Sequence, residues 1–388
     1  MLTVLSPVLV SIVLSTGAFA EEPPQVHFAG FAYIGDDAAV ATSYAYSRAI
    51  EVEQAGGISV LDAALRRHAS SVSNPTFSLV FDQLASLKPG DGSATVLAFA
   101  VDRETVSVEQ IGASYKLLAE LSAQALFVNF REMAVVASYP VVVQSVDVRQ
   151  AAPTEEERQQ AVRNLYLGSG KANILAAFAQ TLDGLRLNPS VERRVRVTAS
   201  SVNEGARSAM SASALGGAGV LETTIAQDFS KFLSANLQIP VLPPSKGQAI
   251  GNRMATRFAD GKVYTLDIPE ADYAVELRLD ELKRIEFSNT AAGRSLVYGA
   301  FVNVRVEEPL TGRVYFDARL RNGATKLVPA SQVNIDDAAA FQDSLLALLD
   351  KFTTSLNNPD PAWAEKHAGD RAIAKQMKDL AKVLQSCR

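Results

Sequence analysis

The side chains that most often perform chemistry in proteins are scarce in this sequence. Its 388 residues include three histidines, one cysteine and one tryptophan. His27, His68 and His367 lie far apart, and no two of them have the spacing of a chelating pair. This scarcity excludes a zinc ribbon, a disulfide scaffold and a c-type haem site. The sequence therefore predicts no metal site, no cofactor, and histidines that are surface or hydrogen-bonded residues.

The motifs of nucleophilic catalysis and of phosphate binding are also missing. Neither Gly-x-Ser-x-Gly nor Ser-x-x-Lys occurs, so we predict no catalytic residue. Residues 168–171 (Gly-Ser-Gly-Lys) resemble the end of a phosphate loop, but Leu165 stands where its first glycine belongs and Ala172 replaces the Ser/Thr that holds magnesium. We interpret this segment as a helix break. The glycine-rich residues 215–219 lack a full dinucleotide motif and are interpreted as part of a flexible loop.

Acidic and aromatic side chains leave more than one interpretation open. The pairs Asp36-Asp37 and Asp336-Asp337 precede predicted helices, where a carboxylate stabilises the free N–H groups. A hydrolase with dispersed carboxylates stays an alternative, because such acids can come from distant parts of a chain. Tyr33, Tyr44 and Tyr46 are predicted to pack in the interior, and the alternative is that they line a groove.

The first twenty residues predict export. Residues 2–20 are uncharged and mostly apolar, and Ala18-Phe19-Ala20 has the small-x-small pattern of a signal-peptidase site. An uncleaved anchor is the alternative, although Pro7 interrupts the apolar run. No cysteine lies near the cleavage point, so a lipid anchor is not expected. We predict a soluble periplasmic protein.

The end of the chain predicts an amphipathic helix. Ile373, Met377, Leu380 and Leu384 recur every three or four residues and form one apolar stripe. This stripe is predicted either to pack on its own chain or to bind a partner helix or an anionic surface. Cys387 is interpreted as an exposed thiol, and the alternative is an intermolecular disulfide.

Composition and patterning predict an ordinary globular fold of the α+β class. Hydrophobic residues make up 48% and charged residues 20%, and the net charge of −5 argues against a nucleic-acid partner. We predict two similar mixed sheet-plus-helix modules in tandem, followed by a C-terminal helix. The predicted boundaries are a signal peptide at 1–20, a first module at 21–186, a linker at 187–221, a second module at 222–357 and the tail helix at 358–388.

A local likeness supports the idea of two related modules. Phe127–Arg131 (FVNFR) aligns with Phe301–Arg305 (FVNVR), and Asp102 aligns with Asp280 at the end of another predicted strand. Both spacings are about 175 residues. Asn322-Gly323 is a strong signal for a two-residue hairpin turn in the second module, and its strand edge is one candidate for recruiting a partner.

The second module resembles a known family pattern. Leu242-Pro243-Pro244 closes a predicted strand, Ala271-Asp272-Tyr273 opens another, and Thr311-Gly312 followed by Val314 forms a turn between strands. Over residues 222–356, this order resembles the TolB amino-terminal domain and the CsgG-like envelope-assembly modules. The chain differs from the lipoprotein members because it lacks an acylated cysteine, and it lacks a propeller of the TolB type. The resemblance implies a non-enzymatic part of cell-envelope machinery.

We therefore predict an exported, non-enzymatic accessory protein of the periplasm. It is expected to bind other envelope proteins, such as outer-membrane or secretion components, as a scaffold or assembly factor, and it could form a homo-oligomer. The alternatives are a small-molecule or glycan-binding protein with a site between the two modules, and the hydrolase named above.

Overall fold

The computed structural model describes residues 23–35, 37–81, 94–187, 193–211, 213, 217, 219–244, 252–258, 261–332 and 334–387. The predicted signal peptide at 1–20 lies outside these ranges, as do Asp36 and residues 215, 216 and 218 of the glycine-rich loop. Among the helices within these ranges, none has the length and apolar character needed to span a bilayer.

Strands and helices both contribute much of the described chain, which confirms the α+β class. The strands are β1 (Gln25–Ile34), β2 (Gln54–Ala55), β3 (Ile58–Ser59), β4 (Ser78–Val80), β5 (Thr95–Ile111), β6 (Ser114–Asn129), β7 (Ala134–Arg149), β8 (Val195–Val202), β9 (Arg253–Phe258), β10 (Val263–Asp267), β11 (Tyr273–Thr290), β12 (Gly293–Glu308) and β13 (Arg313–Pro329). The helices are α1 (Asp37–Ser43), α2 (Ala45–Glu51), α3 (Val60–Ser70), α4 (Glu155–Leu167), α5 (Ile174–Gly184), α6 (Glu204–Met210), α7 (Val220–Leu237), α8 (Asp337–Asn357), α9 (Pro361–Ala368) and α10 (Ile373–Leu384).

Local sequence signals mark the ends of several of these helices. Thr154 and Glu157 form a reciprocal capping box at the start of α4. The Asp336 carboxylate accepts a hydrogen bond of 3.0 Å from the Ala339 N–H and caps α8. The chain leaves the helical conformation between α4 and α5, which confirms the predicted break at 168–170.

The first sheet closes on itself. Its order is β4-β1-β5-β6-β7-β10-β9, and β9 also pairs with β1. Ala32 lies opposite Phe258 in that pair, and Asp267 of β10 lies opposite Ala134 of β7. The six strands other than β4 therefore form a ring. Apolar side chains fill its interior, including Val96, Ala98, Leu126, Val128, Met254 and Leu266. Helices α3, α4 and α5 bury the opposite face.

The second sheet is open, with the order β13-β12-β11-β8. Helices α7 and α8 bury one of its faces. Helices α9 and α10 pack beside β13 and cover part of its edge. There the Gln376 side chain accepts a 3.2 Å hydrogen bond from the Asp317 N–H, and the His367 Nδ1 lies 2.9 Å from the Arg321 carbonyl oxygen. The C-terminal helices thus satisfy backbone groups that an exposed strand edge would present to other chains.

The two sheets contain four-strand sets of identical order. In each set the first strand is parallel to the second, and the remaining pairs are antiparallel: β1-β5-β6-β7 and β8-β11-β12-β13. Ala29 interrupts the register of β1, three residues after Val26. Thr198 interrupts β8, three residues after Val195. The two first strands therefore carry bulges at corresponding places.

A second pair of bulges also corresponds. Val26 lies opposite Thr95, and the register of β5 breaks at Asp102. In the second sheet, Val195 lies opposite Tyr273, and the register of β11 breaks at Asp280. Each aspartate follows the paired residue of its own strand by seven positions. Bulges are retained within families of related folds, so these positions support the predicted duplication, which itself stays a prediction.

The similar segments 127–131 and 301–305 do not occupy the positions that the matching bulges would pair. Asn129 lies opposite Thr95, at the start of β5. Asn303 lies opposite Arg278, two residues before the Asp280 bulge. The two segments therefore occupy equivalent strands at different register positions. Their similarity is explained by the few residue types that strands favour, which make strand sequences resemble one another at several offsets.

The predicted module boundaries are wrong in two places. Strand β8 and helix α6 lie within 187–221, which was predicted to be a linker, and β8 belongs to the second sheet. Strands β9 and β10 lie within the predicted second module but complete the first sheet. Residues 253–258 form β9. Alternate burial of Met254, Thr256 and Phe258 fits the inner side of the ring.

The predicted hairpin turn at Asn322-Gly323 is also wrong, because both residues lie inside β13. The buried Asn322 amide donates a 3.1 Å hydrogen bond to the Ser344 carbonyl of α8. Gly323 lies opposite Gly299 of β12. A buried tertiary hydrogen bond and continuous pairing with β12 outweigh the local turn preference of these two residues.

Candidate binding cleft along an open strand edge

Strand β7 has one open edge. Its first edge pairs with β6 along the whole strand. On the other edge, the strand pairing given by the described residues is the single contact between Ala134 and Asp267. From Val136 to Arg149, this edge therefore offers backbone groups to something other than a strand of the described chain.

The backbone groups of even-numbered β7 residues point away from β6. The Ser138 carbonyl accepts a 3.0 Å hydrogen bond from the Val241 N–H, and the Val142 carbonyl lies 3.5 Å from the Lys231 ammonium. Antiparallel pairing alternates between inward and outward groups, so Gln144 directs its groups outward as well. Pro140 sits at one of these outward positions, where the lack of an N–H breaks no bond to β6.

Two helices form walls on either side of this edge. Helix α5 packs on the first sheet, and α7 packs on the second. With β7 they enclose a cleft of ≈ 440 Å³. The lining residues are mostly small or polar, and Lys231 is the charged residue among them: Tyr139, Pro140, Val141, Val142, Ala177, Gln180, Thr181, Gly184, Leu185, Lys231, Ser234, Ala235 and Gln238.

The cleft ends where the chain leaves α7. Gln238 ends this helix in the left-handed conformation, with φ of 54°, which is strained for a residue other than glycine. The chain then turns back, and Val241 donates to Ser138 of β7. Residues 239–241 therefore block the β7 edge at Ser138, and the open part of the edge begins at Pro140.

A buried charge cluster holds α7 against the first sheet. The Arg103 guanidinium lies 2.6 Å from the Glu120 carboxylate and 4.0 Å from the Asp228 carboxylate of α7. Burial raises the pKa of Asp228 to about 6, against the opposing effect of Arg103. One arginine thus faces more than one acid across the module junction. A buried group of this kind fixes relative position, because each charge needs its partner.

A chain of hydrogen-bonded side chains beside this cluster reaches β7 next to the cleft. The Gln124 amide donates to the Asp102 carboxylate at 2.8 Å, and the Ser138 hydroxyl donates to the Gln124 carbonyl at 2.6 Å. The bulge at Asp102 is therefore linked to β7 through two side chains. These polar residues position the open edge. The sequence singled out Asp102 but gave no sign of its contacts, because the three residues come from three separate strands.

The tail helix identified from its apolar stripe packs on its own chain. Ile373, Met377, Leu380 and Leu384 are all buried, in the same core as α8 and β13. This is one of the two alternatives derived from the sequence. A partner could reach these four side chains only if α10 left its position, so the predicted partner-binding role of the stripe is corrected to intramolecular packing.

Cys387 is corrected in the same way. Its thiol is buried, and burial raises its pKa to about 12. An intermolecular disulfide requires an accessible thiolate, so the folded chain does not support the predicted disulfide. The hydrophobic contact that buries this side chain was not visible in the sequence, because Cys387 lies one residue from the C-terminus.

The other chemically interesting side chains have structural roles. Tyr33 and Tyr44 are buried, and the Tyr44 hydroxyl donates to the Ile34 carbonyl at 2.8 Å. The Ser47 hydroxyl lies 2.8 Å from the Tyr166 hydroxyl and also donates to Glu104. This serine beside an acid is fully buried, so no substrate reaches it. In the described residues, no group of three His, Cys, Asp or Glu side chains could hold a metal ion.

Comparisons with known proteins add little to this description. No family model matches the chain, and no curated protein matches it. It is similar to a crystal structure of a minor lipoprotein from Acinetobacter baumannii, with 9% identity and a TM-score of 0.21 over 46% of this chain and 95% of that one. It is also similar to a DUF330 protein from Xanthomonas campestris, with 20% identity and a TM-score of 0.12 over 24% of this chain and 47% of that one. Such low TM-scores do not establish a shared fold, so the resemblance of residues 222–356 to TolB and CsgG-like modules stays a prediction.

Proposed function

We propose that this protein is an exported, non-enzymatic accessory factor of the cell envelope that binds an extended segment of a partner protein. The observation that carries the proposal is the open β7 edge at the base of a cleft between α5 and α7. An extended peptide binds such an edge by adding a strand, with backbone hydrogen bonds for affinity and side-chain contacts for specificity.

The geometry around β7 suits this mode of binding. The outward groups of Val142 and Gln144 supply the backbone contacts, and Val146 and Val148 extend the edge with exposed apolar side chains. The blocked end at Ser138 fixes where an added strand must stop. Periplasmic localisation rests on the apolar N-terminal segment and is part of the same proposal.

A small molecule or glycan is the second candidate for the same cleft. Its volume of ≈ 440 Å³ falls within the range of about 300–1,000 Å³ typical of ligand pockets. The cleft also lies between the two modules. Occupancy by a compact ligand would use the side chains of Gln180, Lys231 and Gln238 rather than the β7 backbone.

Panning of a displayed peptide library against the full chain tests the proposal. Ala177→Trp fills the cleft from α5 and is expected to weaken a selected peptide at least about tenfold, which corresponds to roughly 1.4 kcal/mol. Ala176→Trp is the matched control, since Ala176 is exposed on the same helix outside the cleft. Amide exchange at Val142 and Gln144 should slow when the peptide binds.

Other outcomes would contradict strand addition. Peptides that bind both tryptophan variants as well as the wild type would place their site elsewhere. A glycan or small molecule that binds in an Ala177-dependent manner, without protection of the Val142 amide, would favour the second candidate.

A further inference from the structure

The second sheet extends beyond β8 as a three-stranded arm. We define the arm as residues 283–297 and 324–330, which are the distal parts of β11, β12 and β13. Strand β8 pairs with β11 only as far as Leu279. From Lys283 to Thr290, every residue of β11 is exposed, so this part of the strand has no cover on either face.

The arm carries large apolar side chains in solvent. Phe287 is 78% exposed, Leu327 is 81% exposed and Ile285 is 50% exposed. Ile285 lies opposite Val297, and Leu327 lies opposite Ser295, two positions along β12. Because alternate residues of a strand share a face, Ile285, Val297 and Leu327 form one continuous apolar surface. Exposed apolar patches of this kind mark contact with another molecule or with a membrane.

The charges of the arm are mostly positive, although the whole chain has a net charge of −5. Glu286 is the acidic residue of the arm, and its basic residues are Lys283, Arg284, Arg294 and Lys326. Arg284 and Lys326 form ion pairs with Asp337 and Asp343 of α8 and stay half-exposed. The partner of the arm should therefore be negatively charged.

We propose that this arm inserts its tip into the headgroup layer of an anionic lipid bilayer. The apolar side chains stand at the exposed end of the sheet, next to the turn at Ala291-Ala292, where they can enter a deformable lipid surface. Amphipathic elements with aromatic and aliphatic residues beside Lys and Arg bind anionic membranes in this way. A second copy of the chain fits less well, because two basic arms repel and the bulge at Phe287 interrupts the edge. This inference is independent of the proposed peptide cleft.

Tryptophan fluorescence on the full chain tests the position of the tip. Phe287→Trp places a probe in the arm, and Leu310→Trp places one in the β12–β13 turn at the opposite end of the sheet, where Leu310 is 92% exposed. On vesicles of phosphatidylcholine with phosphatidylglycerol, we expect a blue shift and quenching by brominated lipid for Phe287→Trp. Both variants also contain the native Trp363, whose signal is subtracted with the wild-type protein. After that subtraction, the emission of Leu310→Trp should not change when vesicles are added.

Vesicle co-sedimentation supplies the second measurement. The double variant Phe287→Ser/Leu327→Ser should bind the anionic vesicles at least about tenfold more weakly than Leu310→Ser, and added salt should weaken the wild type. An unchanged Phe287→Trp emission on anionic vesicles would overturn the proposal. So would equal binding by the two serine variants, or a dimer in sedimentation that the double variant abolishes.

Discussion

Strands β6 and β12 hold the same place in two four-strand sets of identical order, yet their sequences follow different patterns. In β6, every residue from Ala119 to Val128 is buried, including Ser122 and Gln124. In β12, buried and partly exposed residues alternate from Tyr298 to Val306. Helices α3, α4 and α5 cover one face of the first sheet, and the ring interior together with α7 covers the other, whereas the outer face of the second sheet is in solvent.

This contrast shows that the hydrophobic pattern reports burial rather than topology. A strand that is buried on both faces has a continuous run of hydrophobic residues. In a strand with one solvent-exposed face, hydrophobic and polar residues alternate. The outer face of the second sheet instead carries ion pairs: Arg305 contacts Asp317 at 3.2 Å, and Arg278 contacts Asp280 at 2.6 Å. The bulge aspartate is therefore linked to a buried amide in the first sheet and to a surface arginine in the second.

Deletion of residues 359–388 should unfold the second sheet and its helices, and we expect it to reduce stability more than any other change described below. It removes α9 and α10 and with them the buried stripe of α10. Burial of each large apolar side chain contributes about 1.5–3 kcal/mol, so the loss of four approaches the whole stability of a domain. We expect aggregation or the loss of cooperative unfolding in a thermal melt followed by circular dichroism.

Single substitutions in α10 show whether packing causes that result. Met377→Ala should destabilise the protein by about 2–5 kcal/mol. Lys378→Ala, at an exposed position of the same helix, should have little effect. A deletion variant that stays monomeric with unchanged unfolding would show that α10 is not part of the core.

Arg103→Ala should separate the first sheet from α7. Removing this guanidinium leaves Glu120 and Asp228 buried without their cation, and such a loss costs about 3–5 kcal/mol. Urea unfolding of the variant and the wild type measures the difference. Arg131→Ala is the control, because Arg131 is exposed at the β6–β7 turn. If both substitutions lowered the free energy of unfolding equally, the charge cluster would not be what holds α7 against the first sheet.

Asp228→Asn should alter the pH dependence of stability. Because the pKa of Asp228 rises from 3.8 to about 6 on folding, the folded protein keeps a proton that the unfolded chain has lost in this range. This carboxyl therefore stabilises the fold most at low pH, and its contribution falls as the pH rises from about 4 to about 6. The loss is roughly 3 kcal/mol by pH 7, because a tenfold change in proton affinity corresponds to about 1.4 kcal/mol. Unfolding free energies at several pH values should decline less for the variant than for the wild type, and parallel curves would contradict the raised pKa of Asp228.

The two bulge aspartates give the smallest expected difference and the most direct test of the comparison. Asp102→Ala removes the carboxylate that accepts the 2.8 Å hydrogen bond from the buried Gln124 amide and should cost about 1–3 kcal/mol. Asp280→Ala removes contacts to two half-exposed arginines and should cost about 1 kcal/mol or less. If urea unfolding gives equal losses, the two environments do not differ as their contacts indicate.

Local signals predicted much of the secondary structure. The capping aspartate Asp336 marks the start of α8, the segment 168–171 marks the break between α4 and α5, and Tyr273 opens β11. Each of these signals depends on residues that lie close together in the chain.

Long-range pairing could not be predicted in the same way. The contact of Ala32 with Phe258 joins residues more than two hundred positions apart, and no local pattern encodes it. The candidate cleft has the same origin, because β7, α5 and α7 meet only after both modules fold. The wrongly predicted turn at Asn322-Gly323 shows the converse case. There a buried tertiary hydrogen bond outweighs a strong local turn preference.

Ring closure by β9 and β10 has a consequence for the order of synthesis. The first sheet begins at residue 25 but is complete only when residue 267 is available, after part of the second module has been made. A chain with such distant pairings folds slowly, because loop closure precedes the contacts that stabilise it. The nascent polypeptide therefore stays incompletely folded until well over half of it has been synthesised.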